Sequence, residues 1–190
     1  HLKTLYDLGF RRVSYGIQDY NPKVQVAIHR VQSFENVKKA TEMAREIGYT
    51  SVGHDLIFGL PHQQVDDIKN TISKTKELMP DRIAFYSYAH VPWIKGNGQR
   101  GFNKADLPSA QAKRKQYETG KAKLEEAGYF ELGMDHFALP TDELYQAYEK
   151  EKMHRNFMGY TTTNTSKLIG LGVSAISDSW YGFAQNEKKL

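Results

Sequence analysis

Strand-like and helix-like segments alternate along most of this chain, and the alternation limits the possible folds more than any other feature. The segment "RRVSYGI" places apolar residues at every second position, Val13, Tyr15 and Ile17, which is typical of a strand. Strands are predicted to begin near Arg12, Ser51, Arg82 and Tyr129. Because helices separate them, the pattern predicts a mainly parallel α/β sheet with right-handed crossovers, either open and doubly wound or part of a barrel.

Capping residues mark the starts of the predicted helices. Asn21 precedes Pro22, and Ser33 and Thr141 precede two further helical patterns. Another helix is predicted from roughly Ser109 to Ala127. The segment "YFELGMDHFA" is interpreted as a fourth strand, and "SWYGFAQN" near the end as another.

The composition is that of a folded globular protein. Of its 190 residues, 39% are hydrophobic and 25% are charged, and no apolar run is long enough to span a membrane. The absence of Cys excludes disulfides, zinc–thiolate sites and thiol nucleophiles. The net charge of +4 is compatible with an anionic ligand. Basic and acidic residues are interleaved, so nucleic-acid binding is not expected, and a cytoplasmic location fits.

Polar residues at strand ends are the candidate binding residues, because ligands of such sheets gather at the carboxyl ends of the strands. Gln18 follows the first strand, where it either reads a polar ligand group or serves the turn. Asp55 lies in an apolar strand and needs either a buried cation or a ligand hydrogen as partner. Arg30 suits a carboxylate or is an exposed helix-end residue. His54 points to the other face of its strand and is interpreted as structural.

Several common catalytic signatures are absent from the sequence. It contains no GxGxxG, GxxxxGK[ST], HExxH or GxSxG pattern. Asp135 and His136 are adjacent, so on one strand they would face opposite ways. We therefore expect no metal site built from this chain alone, and we assign no catalytic residue from these patterns.

The run "HRNFMGYTT", His154 to Thr162, has neither a helical nor a strand period. Its residues suit an ordinary polar surface loop or a loop that holds hydrogen-bond donors over a polar ligand. The residues alone leave both interpretations open.

Six segments taken in order resemble one known family. These are "YGIQDYNPKVQVAIHR", "DLIFGLP", "PDRIAFYSYAHVP", "GMDHFALPTDEL", "HRNFMGYTT" and "LIGLGVSAIS". They resemble the oxygen-independent coproporphyrinogen III oxidases, radical S-adenosylmethionine (SAM) enzymes of haem biosynthesis, over essentially the whole chain.

The resemblance implies a fold, cofactors and a reaction. The fold is a partial (β/α)6 barrel, of which this chain would be the C-terminal portion. A [4Fe–4S] cluster on a CxxxCxxC motif cleaves SAM, and the resulting radical removes hydrogen from the propionates of coproporphyrinogen III. Loss of CO₂ then leaves vinyl groups and gives protoporphyrinogen IX. Family members bind two SAM molecules, and the intact enzyme is expected to be monomeric.

The resemblance also implies binding residues. Gln18, Arg30 and Asp55 correspond to the second SAM site, and Ala89 and Ile176 correspond to the SAM on the cluster. The absence of Cys departs from the family at its cluster motif. We therefore interpret the chain as part of a longer protein with the cluster ligands upstream, and expect it to be inactive alone. The sequence indicates no electron donor.

The chain is predicted to be a single domain, for which two alternative functions remain open. Residues 1–190 are predicted to form one domain, with long loops at about 90–108 and 153–166 near the barrel mouth. One alternative is a haem-chaperone relative that binds haem without turnover. The other is a half-barrel whose polar loops only support the scaffold.

Overall fold

A computed structural model describes residues 1–91, 93, 102–156 and 159–188. Contacts within the chain divide it into two compact units, His1–Gln146 and Ala147–Leu190. The single domain predicted for residues 1–190 includes both units.

The first unit contains a five-stranded sheet and its helices. In chain order the elements are α1 (Leu2–Asp7), β1 (Arg12–Gln18), α2 (Pro22–Ala27), α3 (Phe34–Ile47), β2 (Ser51–Phe58), α4 (Val65–Leu78), β3 (Arg82–Ser87), a 3-10 turn (Lys104–Asp106), α5 (Ala110–Glu126), β4 (Phe130–Gly133), β5 (His136–Ala138) and α6 (Glu143–Glu149), which runs past the unit boundary. The sheet order is β1-β2-β3-β5-β4. The pairs β1–β2 and β2–β3 are parallel, as predicted, whereas β3–β5 and β5–β4 are antiparallel.

The interpretation of "YFELGMDHFA" as one strand is wrong. The segment forms a hairpin, in which Gly133 pairs with His136 across a two-residue turn. Met134 and Asp135 both have positive φ, 43° and 69°, as a type I′ turn requires. This turn reverses the chain, so the last two strands run antiparallel to their neighbours.

Two of the three predicted helix caps are present, and one is replaced. The side chains of Asn21 and Ser33 accept backbone N–H groups at the starts of α2 and α3. Ser109, which was not predicted as a cap, does the same at α5. At α6 the prediction of Thr141 is wrong, because Asp142 accepts the N–H of Leu144 at 2.7 Å. Asp142 is buried and also accepts hydrogen bonds from Ser51 and Arg82, which hold it at this position.

The hydrophobic core lies between one face of the sheet and the helices. Ile17, Leu56, Phe85 and Phe137 extend from four strands into one cluster of buried residues that also contains residues of α3, α4 and α5. The other face of the sheet carries the intervening residues of each strand. That second face holds the candidate site.

The second unit consists of small antiparallel sheets. Its strands are β6 (His154–Asn156), β7 (Gly159–Thr161), β8 (Lys167–Leu168), β9 (Ile176–Ser179) and β10 (Gly182–Gln185). The loop predicted at about 153–166 is wrong in part, because β6 and β7 pair as a hairpin there. The strand predicted in "SWYGFAQN" is confirmed as β10. Of the loop predicted at about 90–108, residues 92 and 94–101 lie outside the described residues, and the described part contains the 3-10 turn Lys104–Asp106.

Among the helices that the structure describes, none is both long and apolar enough to cross a membrane.

Candidate functional site

Five residues form one row across the second face of the sheet. Gly16 pairs with Asp55, Asp55 with Ala84, Ala84 with His136, and His136 with Gly133. Paired residues on neighbouring strands direct their side chains to the same face. The row therefore presents one carboxylate and one imidazole, separated and flanked by positions with little or no side chain.

Gly16 provides the surface on which Gln18 and Arg30 meet. A Cβ atom at Gly16 would lie 2.7 Å from Nε2 of Gln18 and 2.9 Å from Nη2 of Arg30. The pairing of β1 with β2 is irregular between Gly16 and Gln18, and Gln18 has a φ of 69°. Gly16 and Gln18 are two residues apart, the spacing of residues on one face of a strand, and Nε2 of Gln18 lies over Gly16 although the register shifts between them.

Asp55 lies next to that surface and is partly buried. Burial raises the pKa of its carboxyl group, while a hydrogen bond from Ser14 and the positive charges of His136 and Arg30 act in the opposite direction. The Ser14 hydroxyl donates to Oδ1 of Asp55 at 2.8 Å. Arg30, Asp55 and Gln18 are thus brought together in one polar region, as predicted for all three residues.

Tyr86 and His136 continue the same region on β3 and β5. Their rings meet edge to face, with centroids 5.8 Å apart. Nδ1 of His136 is 2.9 Å from the carbonyl oxygen of Met134, so this ring nitrogen carries the hydrogen and donates it. Burial raises the pKa of Tyr86, and the negative charges of Asp55 and Asp135 add to this effect.

A buried polar network lies behind Gln18. Asp19 is fully buried and accepts hydrogen bonds from the backbone N–H of Asn21 at 2.5 Å and from Nε2 of Gln63 at 2.6 Å. Gln116 accepts the N–H of Gly59 at 2.9 Å and donates to the carbonyl oxygen of Gln63 at 2.7 Å. The network joins the end of β1 to the "GLP" turn after β2. Burial raises the pKa of Asp19 to about 6.

The roles of Gln63 and Gln116 are not evident from the sequence pattern. Both are buried glutamines, a residue type that is mostly exposed, and their partners are distant along the chain. The available signal was the pair Gln63–Gln64, which follows "GLP" and His62 and resembles an ordinary helix start.

The remaining candidates lie elsewhere. His54 is fully buried, with Nε2 3.0 Å from the Thr41 hydroxyl, which agrees with its structural interpretation. Ala89 is exposed and follows the end of β3, where Lys113 donates a 2.6 Å hydrogen bond to the carbonyl oxygen of Tyr88. Ile176 begins β9 in the second unit, so its position relative to the other four is left as a prediction.

Comparisons with known proteins agree with the resemblance. Residues 1–75 match the family model described as the radical SAM superfamily. The oxygen-independent coproporphyrinogen III oxidase of Helicobacter pylori is 43% identical over 190 residues, which are 100% of this chain and 41% of that protein. The enzyme of the same name from Escherichia coli is 46% identical over 182 residues, 96% of this chain and 40% of that protein. This chain is therefore similar in sequence to a part of these oxidases.

A solved structure supports the same relationship. Coproporphyrinogen III oxidase from Escherichia coli, described as a radical SAM enzyme, matches with a TM-score of 0.89 and 45% identity. The match covers 99% of this chain and 43% of that one. The mixed sheet of this chain and its flanking helices therefore match part of the fold of a radical SAM enzyme. The chain spans about two fifths of the length of the relatives it matches.

The described residues do not fit an iron–sulfur cluster. Such clusters are held by Cys thiolates, and the sequence contains no Cys. Within the part of the chain that the structure describes, no three His, Asp or Glu side chains are grouped so that they could hold a metal ion.

Proposed function

We propose that this chain is the SAM-binding and substrate-facing part of an oxygen-independent coproporphyrinogen III oxidase. The observation that carries the proposal is the meeting of Gln18 and Arg30 on Gly16, next to Asp55. The names of the relatives supply the reaction class. The sheet would form part of a partial (β/α)6 barrel, with the site on its inner face.

The charges of the site suit the methionyl end of SAM. That end is a zwitterion, for which a guanidinium and a carboxylate are matched partners. Arg30 would bind the SAM carboxylate, Asp55 would accept a polar hydrogen, and Gln18 would offer both a donor and an acceptor. Together these three residues would form the second of two SAM sites, while Ala89 and Ile176 would contribute to the first.

The substrate would be coproporphyrinogen III, and the reaction its oxidative decarboxylation to protoporphyrinogen IX. SAM supplies the radical that begins this chemistry. The cluster required for SAM cleavage would be bound by Cys residues outside this sequence, so no step is assigned to it here. The contribution of this chain is to bind and orient SAM, and to exclude water from it. A cytoplasmic location, a monomeric state and the absence of nucleic-acid binding remain predictions.

The haem-chaperone alternative receives less support. The relatives named above carry the oxidase name at 43–46% identity. The meeting of Gln18 and Arg30 on Gly16, next to Asp55, also goes against a site that serves only as a scaffold.

An activity assay on the full-length protein tests the proposal. With the cluster reconstituted under anaerobic conditions, SAM and a reductant should convert coproporphyrinogen III and release 5′-deoxyadenosine. Formation of protoporphyrinogen IX with stoichiometric CO₂ supports the oxidase. Tight haem binding without conversion would instead identify the chaperone function, and neither haem nor SAM binding would leave only the scaffold.

A further inference from the structure

His136 faces the proposed SAM site from the side opposite Arg30. In the row across the sheet, Asp55 and His136 are both partners of Ala84. Neighbouring strands lie about 4.8 Å apart, so the backbones of Asp55 and His136 are roughly 10 Å apart. Ala84 contributes only a methyl group to the space between them. The sheet therefore forms a trough with a carboxylate on one side, an imidazole on the other and an apolar floor.

The turn before His136 is conformationally costly. Type I′ turns favour Asn and Gly because both central residues need positive φ, yet here these residues are Met134 and Asp135. Two hydrogen bonds hold the turn. The backbone N–H of Phe85 donates to the carbonyl oxygen of Asp135 at 2.7 Å, and Nδ1 of His136 donates to that of Met134 at 2.9 Å. Backbone strain of this kind is concentrated at functional sites, so the turn itself points to a role for the residue it positions.

The hydrogen bond to Met134 determines which atom of the ring can act on a ligand. Because Nδ1 donates to a carbonyl oxygen, Nε2 is an acceptor in the neutral ring and a donor in the charged ring. A ligand hydroxyl is compatible with both states, since it donates and accepts. The same hydroxyl, or its neighbour on a vicinal diol, can donate to the carboxylate of Asp55.

We propose that His136 is a further SAM-binding residue, which together with Asp55 holds the ribose diol of the second SAM over Ala84. The inference rests on the proposed function. With the SAM carboxylate at Arg30 over Gly16, the methionyl chain crosses Asp55 and the ribose reaches Ala84. The row from Gly16 to Ala84 covers two strand spacings, roughly 10 Å, which suits this extended part of SAM. The rings of Tyr86 and His136 pack edge to face, with their centroids 5.8 Å apart.

Calorimetric SAM titrations of the full-length protein test the assignment. His136→Phe keeps a ring beside Tyr86 and removes both nitrogens, and His136→Gln keeps a hydrogen-bonding group. His62→Phe is the matched control, because His62 lies near Asp106 and outside the row. At the site that Arg30→Ala also weakens, His136→Phe should lower SAM affinity about tenfold, the scale of one hydrogen bond. His136→Gln should lower it less, and the control should leave it unchanged.

SAM analogues that lack the 2′- or the 3′-hydroxyl separate a direct contact from an effect on the turn. One of the two analogues should bind to the wild-type protein about tenfold more weakly than SAM does. That analogue should bind equally well to wild type and to His136→Phe. An equal loss of affinity for SAM and for both analogues in His136→Phe would overturn the proposal. Unchanged SAM affinity in His136→Phe would overturn it as well. If wild type binds no SAM, the proposed function fails as well. If His136→Phe weakens coproporphyrin III binding, followed by porphyrin fluorescence, while SAM affinity stays the same, the ribose assignment is overturned.

Discussion

The hydroxyl of Ser14 on β1 donates a 2.8 Å hydrogen bond to Oδ1 of Asp55 on β2. The bond crosses between the strands diagonally, because the direct partner of Ser14 is Gly53. A Cβ atom at Gly53 would lie 2.9 Å from the Ser14 hydroxyl oxygen, so the glycine leaves room for this hydroxyl. Ser14 therefore holds the carboxylate of Asp55 in the orientation in which it faces the proposed SAM site.

Replacement of Ser14 by Ala should weaken SAM binding about tenfold at neutral pH, the scale of a lost hydrogen bond. The bond from Ser14 favours the charged carboxylate and thus lowers the pKa of Asp55 against the effect of burial. Without it the pKa rises further, so binding that needs the carboxylate should be lost at a higher pH as the solution is acidified. Calorimetry across the acidic range measures both effects. Ser14→Thr keeps the hydroxyl and is the control; identical pH profiles for the two variants would contradict the role.

Replacement of Gly16 by Ala should weaken SAM binding while leaving the fold stable. The added methyl group would meet Nε2 of Gln18 at 2.7 Å and Nη2 of Arg30 at 2.9 Å, which are the ends of two flexible side chains. Both side chains can move away at small cost, but they then leave their positions in the site. We expect a loss of SAM affinity of roughly 10- to 100-fold, because small displacements of binding groups are costly. Gly182→Ala, where the methyl group would meet no atom within 4 Å, is the control for affinity and for the midpoint of thermal unfolding.

Replacement of Arg30 by Ala should weaken SAM binding by about 1.5–3 kcal/mol, the scale of a hydrogen bond to a charged group. Arg30→Lys should recover part of this loss, because an ammonium keeps the charge but not the two-pronged geometry of the guanidinium. Arg114→Ala is the matched control, since Arg114 is exposed on α5 and pairs with Glu118. SAM affinity that is equal in wild type and Arg30→Ala would return Arg30 to an exposed helix-end role.

Local signals predicted much of the fold and part of the site. The caps at Asn21 and Ser33 depend on neighbouring residues, which a sequence pattern contains. The hairpin at Met134 and Asp135 was missed, because these are not the residues that mark a type I′ turn. Long-range contacts, including the hydrogen bond from Phe85 to Asp135, stabilise the turn instead.

The site was predictable to a similar degree. The position of Gln18 and Asp55 at neighbouring strands followed from the parallel sheet. The approach of Arg30 to Gly16 did not, because it depends on the path of the chain after α2. The partners of Asp19, Gln63 and Gln116 were hidden for the same reason, since each contact joins distant parts of the sequence.

The buried carboxylate of Asp19 should make the stability of the protein depend on pH. Its pKa is raised from the ordinary value of 3.8 to about 6, mainly by burial, so the folded state binds the proton more tightly than the unfolded state does. The free energy of unfolding should therefore fall as the pH rises from about 4 to about 6, by about 3 kcal/mol from this group. Asp19→Asn removes this titration. The difference in unfolding free energy between wild type and the variant should therefore change between about pH 4 and about pH 6 by the same amount. A difference that is constant between pH 4 and 6 would contradict the assignment.

Replacement of Gly120 by Ala should destabilise the protein although Ala is the better helix former. Gly120 lies within α5 over the buried ring of Phe85, and an added Cβ atom would be 2.4 Å from Cε1 and 2.5 Å from Cζ of that ring. The ring is rigid and enclosed by the core, so it cannot move aside as a flexible side chain would. Overpacking of this kind costs about 1–3 kcal/mol, against about 1 kcal/mol gained in helix propensity. Because the contact with the ring is very close, the upper part of this range is expected, and chemical denaturation should show a net loss of up to about 2 kcal/mol. In a Phe85→Leu background the loss from Gly120→Ala should become smaller or change sign, because the smaller side chain leaves room for the methyl group. An equal loss in both backgrounds would show that contact with the ring is not its cause.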